Sequence, residues 1–112
     1  MKRPDSLGEF EQAVLVAVAH LEDDAYGVTI RREIETRTGR TIAVGALYTA
    51  IDRLEAKGFV TSSMSDPTPV RGGRSKRHVQ LSSAGRNALR QSREFLSRMW
   101  DGLRLEPARR RT

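Results

Sequence analysis

Apolar residues recur along the first part of the chain at helical spacing. Leu7, Phe10, Val14, Ala17, Val18 and Leu21 recur at helical spacing, three and four residues apart, which places them on one face of a helix. Ser6-Leu7-Gly8-Glu9 in front of them has the S-x-x-E spacing of a capping box. The acidic turn Glu22-Asp23-Asp24 closes this helix and offers Asp24 as the cap of the next. A second helix is expected over residues 26–38, with Tyr26, Ile30 and Ile34 inward and Arg31, Arg32, Glu33, Glu35 and Arg37 toward solvent; Gly39 is its stop signal. A third is expected over residues 44–57. Its apolar face is Leu47, Ala50, Ile51 and Leu54, its opposite face Gly45, Tyr48, Thr49, Asp52 and Arg53, and Gly58 ends it.

The period then changes. Phe59-Val60-Thr61-Ser62-Ser63-Met64 reads as a strand. A stretch rich in turn formers follows, Asp66-Pro67-Thr68-Pro69 and Arg71-Gly72-Gly73-Arg74-Ser75. Arg77, Val79 and Leu81 then share one face of a second strand, expected to pair antiparallel with the first. A last helix opens at the N-cap candidate Ser82 and extends to about residue 103. Its stripe of Leu89, Ser92, Leu96, Met99 and Leu103 is spaced 3, 4, 3, 4, and Phe95 and Trp100 flank it. The expected fold is mainly α with a small β-hairpin (α+β): a winged helix-turn-helix domain over residues 1–81, a C-terminal dimerisation helix over 82–104 and a basic tail over 105–112. There is no internal repeat.

Composition narrows the chemistry. With 112 residues, 38% of them apolar and 30% charged, the chain suffices for one globular domain and no more. It has no cysteine, which excludes disulfides, thiolate metal sites and a cysteine nucleophile. The apolar run at residues 13–19 is too short to span a bilayer, and the basic N-terminus lacks an apolar signal core directly behind it. A cytoplasmic protein with no membrane partner is expected. His20 and His78, the two histidines, have no nucleophile or carboxylate partner at motif spacing, so neither an enzyme nor a metal or other cofactor is expected. For Glu22, Asp23 and Asp24, capping in a turn is favoured over a cation site.

Charge is the informative part. Residues 1–66 carry 8 Lys/Arg against 11 Asp/Glu, and residues 67–112 carry 12 against 3. Such asymmetry suggests a polyanion, with double-stranded DNA the first candidate. A helix N-terminus fits a major groove. In the third helix Gly45 and Ala46 are small enough for close approach, Tyr48 and Thr49 carry hydroxyls for phosphate or base, and Arg53 lies a turn further toward phosphate. The same face also reads as solvated, with Tyr48 packed on its neighbours. Arg71, Arg74, Lys76 and Arg77 surround a diglycine at the wing, where contact with the DNA backbone or minor groove is favoured over a merely solvated loop. Leu89, Phe95, Leu96, Met99, Trp100 and Leu103 form a stripe longer than one small domain consumes, so a homodimer is expected, with the start of the helix folded back on its own core. Trp100 is a candidate for stacking a small aromatic effector, although plain interface packing is favoured. A winged-helix adaptor for another protein, without specific DNA binding, is the alternative; it does not require a basic wing.

Tyr26-Gly27, Ile30, Gly45-Ala46-Leu47-Tyr48 and Asp52-Arg53-Leu54-Glu55-Ala56-Lys57-Gly58-Phe59-Val60 resemble the PadR family of bacterial winged-helix transcriptional regulators. Arg77-His78-Val79-Gln80-Leu81-Ser82-Ser83-Ala84-Gly85 resembles the end of that family's wing and the start of its last helix. The resemblance covers roughly residues 7–100 and points to the short subgroup with a single C-terminal helix. It implies a homodimeric repressor that releases DNA when a small molecule binds, with Tyr48 on the DNA-facing tyrosine and residues 74–77 on the basic wing. Ala46 stands where the family often has threonine or serine, Thr49 where proline is frequent, and His78-Val79 where a tyrosine pair is usual.

Overall fold

The fold is built around α1 (Glu9–Leu21), which lies against every other layer of the domain. A short 3-10 turn, Glu22–Asp24, leads into α2 (Gly27–Thr38) and α3 (Val44–Ala56). The strands β1 (Val60–Met64) and β2 (Arg77–Leu81) follow, then α4 (Ser83–Trp100). This computed structural model describes residues 7–64 and 76–106. The order is the winged helix-turn-helix layout that the periodicity predicts.

The apolar face of α3 is buried as expected, with Leu47, Ala50, Ile51 and Leu54 all in the core. They meet Val14, Val18, Ile30, Val60 and Val79. Leu15 is fully buried although it lies off the predicted stripe of α1. The reason is topological: a helix packed on several neighbours buries more than one face.

The helix starts differ from the expected caps. α1 begins at Glu9 with Gly8 as N-cap, and the Gly8 N–H donates to Glu11 Oε1 at 3.0 Å. Glu11 is thus the carboxylate that reaches back, in place of Glu9; Ser6 lies outside the described residues. A tertiary contact selects it, because Lys57 Nζ sits 2.9 Å from the same Glu11 oxygen. At α2 the N-cap is Tyr26 and not Asp24. The Thr29 hydroxyl accepts from the Tyr26 N–H at 3.0 Å and donates to the Asp24 carbonyl. Gly39 closes α2, its N–H donating to the Glu35 carbonyl at 2.9 Å.

The strands pair antiparallel, from Val60 opposite Leu81 to Met64 opposite Arg77. On its other side β2 meets the segment before α2, where the Val79 N–H donates to the Ala25 carbonyl at 2.8 Å. The hairpin is therefore anchored to the helix-turn-helix through the backbone as well as through its apolar face.

Ser82 caps α4 as expected: its hydroxyl accepts from the Gly85 N–H at 3.0 Å and donates to the Gly58 carbonyl at 2.6 Å. Gly85 is buried where α4 meets the link between α3 and β1, and a side chain there would run into the Phe59 carbonyl oxygen. α4 stops at Trp100, short of the predicted end. Leu103 lies beyond it, in a turn where its N–H donates to the Trp100 carbonyl at 2.8 Å and Gly102 takes a φ of +77°.

Candidate nucleic-acid interface

Burying Leu47, Ala50, Ile51 and Leu54 leaves α3 with one outward face. Gly45, Ala46, Tyr48, Thr49, Asp52 and Arg53 are all exposed on it. The helix-turn-helix connection is held by Glu35, whose Oε2 accepts from the Ile42 N–H at 2.7 Å and from Arg31 Nε at 3.3 Å. These bonds, led by that from Ile42, hold the Glu35 carboxyl below its ordinary range. A carboxylate of α2 thus fixes the backbone two residues before α3 begins, which sets the angle at which α3 is presented.

The predicted contact residues divide into two groups. Tyr48 turns toward α2 and lies against Gly27. It borders an open hollow of about 250 Å³ shared with Val28, Arg31, Arg32 and Val44. Ala46, Thr49 and Arg53 border a separate hollow of about 550 Å³ on the α1 side, with Lys57 and Glu11. Arg31, Arg32 and Lys57 thus flank the α3 face. Sequence reasoning assigned Arg31 and Arg32 only to solvent and gave Lys57 no role, because helical period says which residues face out and not which helices lie side by side.

The wing cations also separate. Arg71 and Arg74 lie outside the described residues. Lys76 Nζ sits 4.4 Å from the centroid of the Tyr26 ring, a cation–π contact, and 3.4 Å from its hydroxyl. Arg77, expected at DNA, has its guanidinium on α3 instead: Nη1 donates to Asp52 Oδ1 at 2.9 Å and Nη2 donates to Glu55 Oε1. Burial disfavours the Arg77 charge, but the hydrogen bonds it donates to both carboxylates outweigh that and raise its pKa above the ordinary value.

The expected dimerisation residues divide by position along α4. Leu89 packs partly buried against the core beside Ala88. Phe95, Leu96, Met99 and Trp100 are exposed, as is Leu103 past the helix end. Val16 of α1 is exposed too, in a hollow it shares with Gln12, His20, Leu89 and Arg93. His78 lies 5.5 Å from Tyr26, ring to ring. Among the described residues no group of three or more His, Asp or Glu is placed to hold a metal ion. No helix among them is long and apolar enough to cross a membrane.

The sequence matches the model of the transcriptional regulator PadR-like family over residues 14–91. The chain is 31% identical to the transcriptional regulator Rv3488 of Mycobacterium tuberculosis over 94 residues, covering 81% of this chain and 83% of that protein. In three dimensions it is similar to a PadR-like transcription factor from Bacteroides fragilis, with TM-score 0.71, 17% identity and coverage of 82% and 84% of the two chains. It is also similar to a PadR family regulator from Clostridium difficile, with TM-score 0.66, 24% identity and coverage of 84% and 96%. RosR of Halobacterium salinarum superimposes with TM-score 0.65 at 26% identity, over 88% of this chain and 81% of that one.

Proposed function

The chain belongs to the PadR-like family of transcriptional regulators, whose members and relatives are regulators and not enzymes, and we propose that it acts as a homodimeric repressor. Each protomer sets the N-terminal half of α3 in a major groove and lays its wing along the adjacent backbone. The observation that carries this reading is the exposed face of α3, where small residues, two hydroxyls and Arg53 stand between the cations of α2 and Lys57. Phosphate contacts from Arg31, Arg32 and the wing position the helix, and Tyr48 and Thr49 lie where base edges pass.

The dimer reading rests on α4. Four large apolar side chains stand exposed on its second half, and each contributes about 1.5–3 kcal/mol when fully buried. Val16 of α1 offers an apolar surface for the partner's helix. In such an interface Trp100 packs against the partner helix, and its ring is the candidate surface for a planar aromatic effector. A DNA partner places the protein in the cytoplasm.

The test is fluorescence anisotropy with DNA from upstream of the protein's own gene and with random DNA, at two salt concentrations. Preference for the upstream DNA that survives the higher salt supports a specific regulator. Equal binding that collapses with salt leaves only electrostatic affinity and favours the adaptor alternative.

A further inference from the structure

Arg77 opens β2 opposite Met64, at the outer end of the described strand pair. An arginine there is well placed to reach DNA, yet only 25% of its side chain is exposed. Its planar fork holds two carboxylates of α3 at once, Asp52 and Glu55. These lie three residues apart and so share one edge of the helix. The other Glu55 oxygen accepts from the Ser62 hydroxyl of β1 at 2.7 Å. One carboxylate therefore ties both strands to the recognition helix.

We propose that Arg77 is a positioning residue for DNA recognition: through Asp52 and Glu55 it clamps the base of the wing to α3, so that wing and helix meet DNA as one body. This rests on the DNA-binding reading above and deepens it. The middle of β2 is already held by the Val79–Ala25 backbone bond. The outer end, where Met64 faces Arg77, has strand pairing, the contacts of Lys76 and His78 with Tyr26, and this clamp, which ties it to α3 through two carboxylates. A two-stranded hairpin alone is marginally stable, so without the clamp the wing base frays and the distance between wing and α3 contacts is no longer fixed. Lysine could not replace Arg77, because an ammonium lacks the fork that spans two carboxylates. Asp52 and Glu55 also lie near the DNA-facing surface, where uncompensated they would repel phosphate.

These two charges give the clamp a signature opposite in sign to simple charge. The double variant Asp52→Ala/Glu55→Ala removes two negative charges from the DNA side of α3. If charge alone mattered, it would bind every DNA more tightly and keep its preferences. The clamp predicts that binding to random DNA holds or tightens while discrimination falls at least tenfold. The probe is the duplex that the wild-type protein selects most strongly from a randomised pool, compared with random duplex at the same salt. The swap Arg77→Glu/Glu55→Arg keeps a pair across the same gap and should recover discrimination that Arg77→Glu alone loses. Amide hydrogen exchange at residues 60–64 and 77–81, measured without DNA, should accelerate in the double-alanine variant and slow again in the swap. Unchanged discrimination in the double-alanine variant, or no recovery in the swap, overturns the proposal. A wild-type protein that selects no sequence overturns the DNA-binding reading, and the role in recognition with it. Hydrogen exchange then still decides whether the clamp holds the hairpin.

Discussion

The ring of Tyr48 lies against Gly27, so closely that a methyl group on residue 27 would overlap its hydroxyl. The first turn of α2 thus aims the most prominent side chain of the recognition helix. Gly27→Ala is expected to leave the fold in place, since the obstructed atoms are the free end of a side chain 40% exposed. It should swing Tyr48 out of its seat and weaken binding to a preferred DNA more than to random DNA. A thermal melt paired with anisotropy on both DNAs separates the two effects.

On the α3 surface, Tyr48 and Arg53 should behave differently. Tyr48→Ala is expected to reduce specific binding with little change in its salt dependence. Arg53→Ala, read as a phosphate contact, should flatten the dependence of log K on log salt by about one unit. Lys76→Ala and Arg74→Ala should flatten it likewise and weaken binding to all sequences alike. Unchanged slopes in these wing variants would remove the wing from the interface.

At Gly85 the obstruction is backbone, the Phe59 carbonyl, which cannot rotate away. Gly85→Ala should therefore destabilise the domain by about 1–3 kcal/mol, the usual cost of overpacking. Ser82→Ala, which removes the cap of α4, should cost about 1 kcal/mol. Urea denaturation measures both.

Met99→Glu tests the dimer without touching the core, because Met99 is exposed in the single chain. Sedimentation should show the wild type as a dimer and the variant as a monomer. Trp100 emission should shift to the red in the variant as the ring becomes wet. A wild type that stays monomeric at high concentration would refute the assignment of α4.

Glu11 gives the fold an acid sensitivity. Burial raises the pKa of this carboxyl, but the Gly8 N–H and Lys57 outweigh burial and hold it below its ordinary value. A pKa lowered by folding means that the stabilisation is fully present above the unfolded carboxyl pKa of about 4.3 and is lost as pH falls through the folded value. Glu11→Gln should therefore melt below the wild type at pH 6 to 7, and the gap should narrow as the pH falls below about 4. A gap that is constant with pH would mean the carboxylate charge has no part in it.

Spacing along the chain was enough to determine the helices, the hairpin, the buried face of α3 and the exposed stripe of α4. These follow from local period and from Gly and Ser punctuation, which act within a few residues. The outward set Gly45, Ala46, Tyr48, Thr49 and Arg53 was legible for the same reason, since burying one face of a helix exposes the other. Tertiary structure decided which exposed groups meet. Lys57, far along the chain from Glu11, selected the cap of α1. The contact of Tyr48 with Gly27 divided the recognition face in two. Arg77, one cation among several in the wing sequence, was drawn to Asp52 and Glu55 because the antiparallel register brings the start of β2 back beside α3. Local period cannot supply such pairings: they depend on how separate elements lie against one another once the apolar faces have closed.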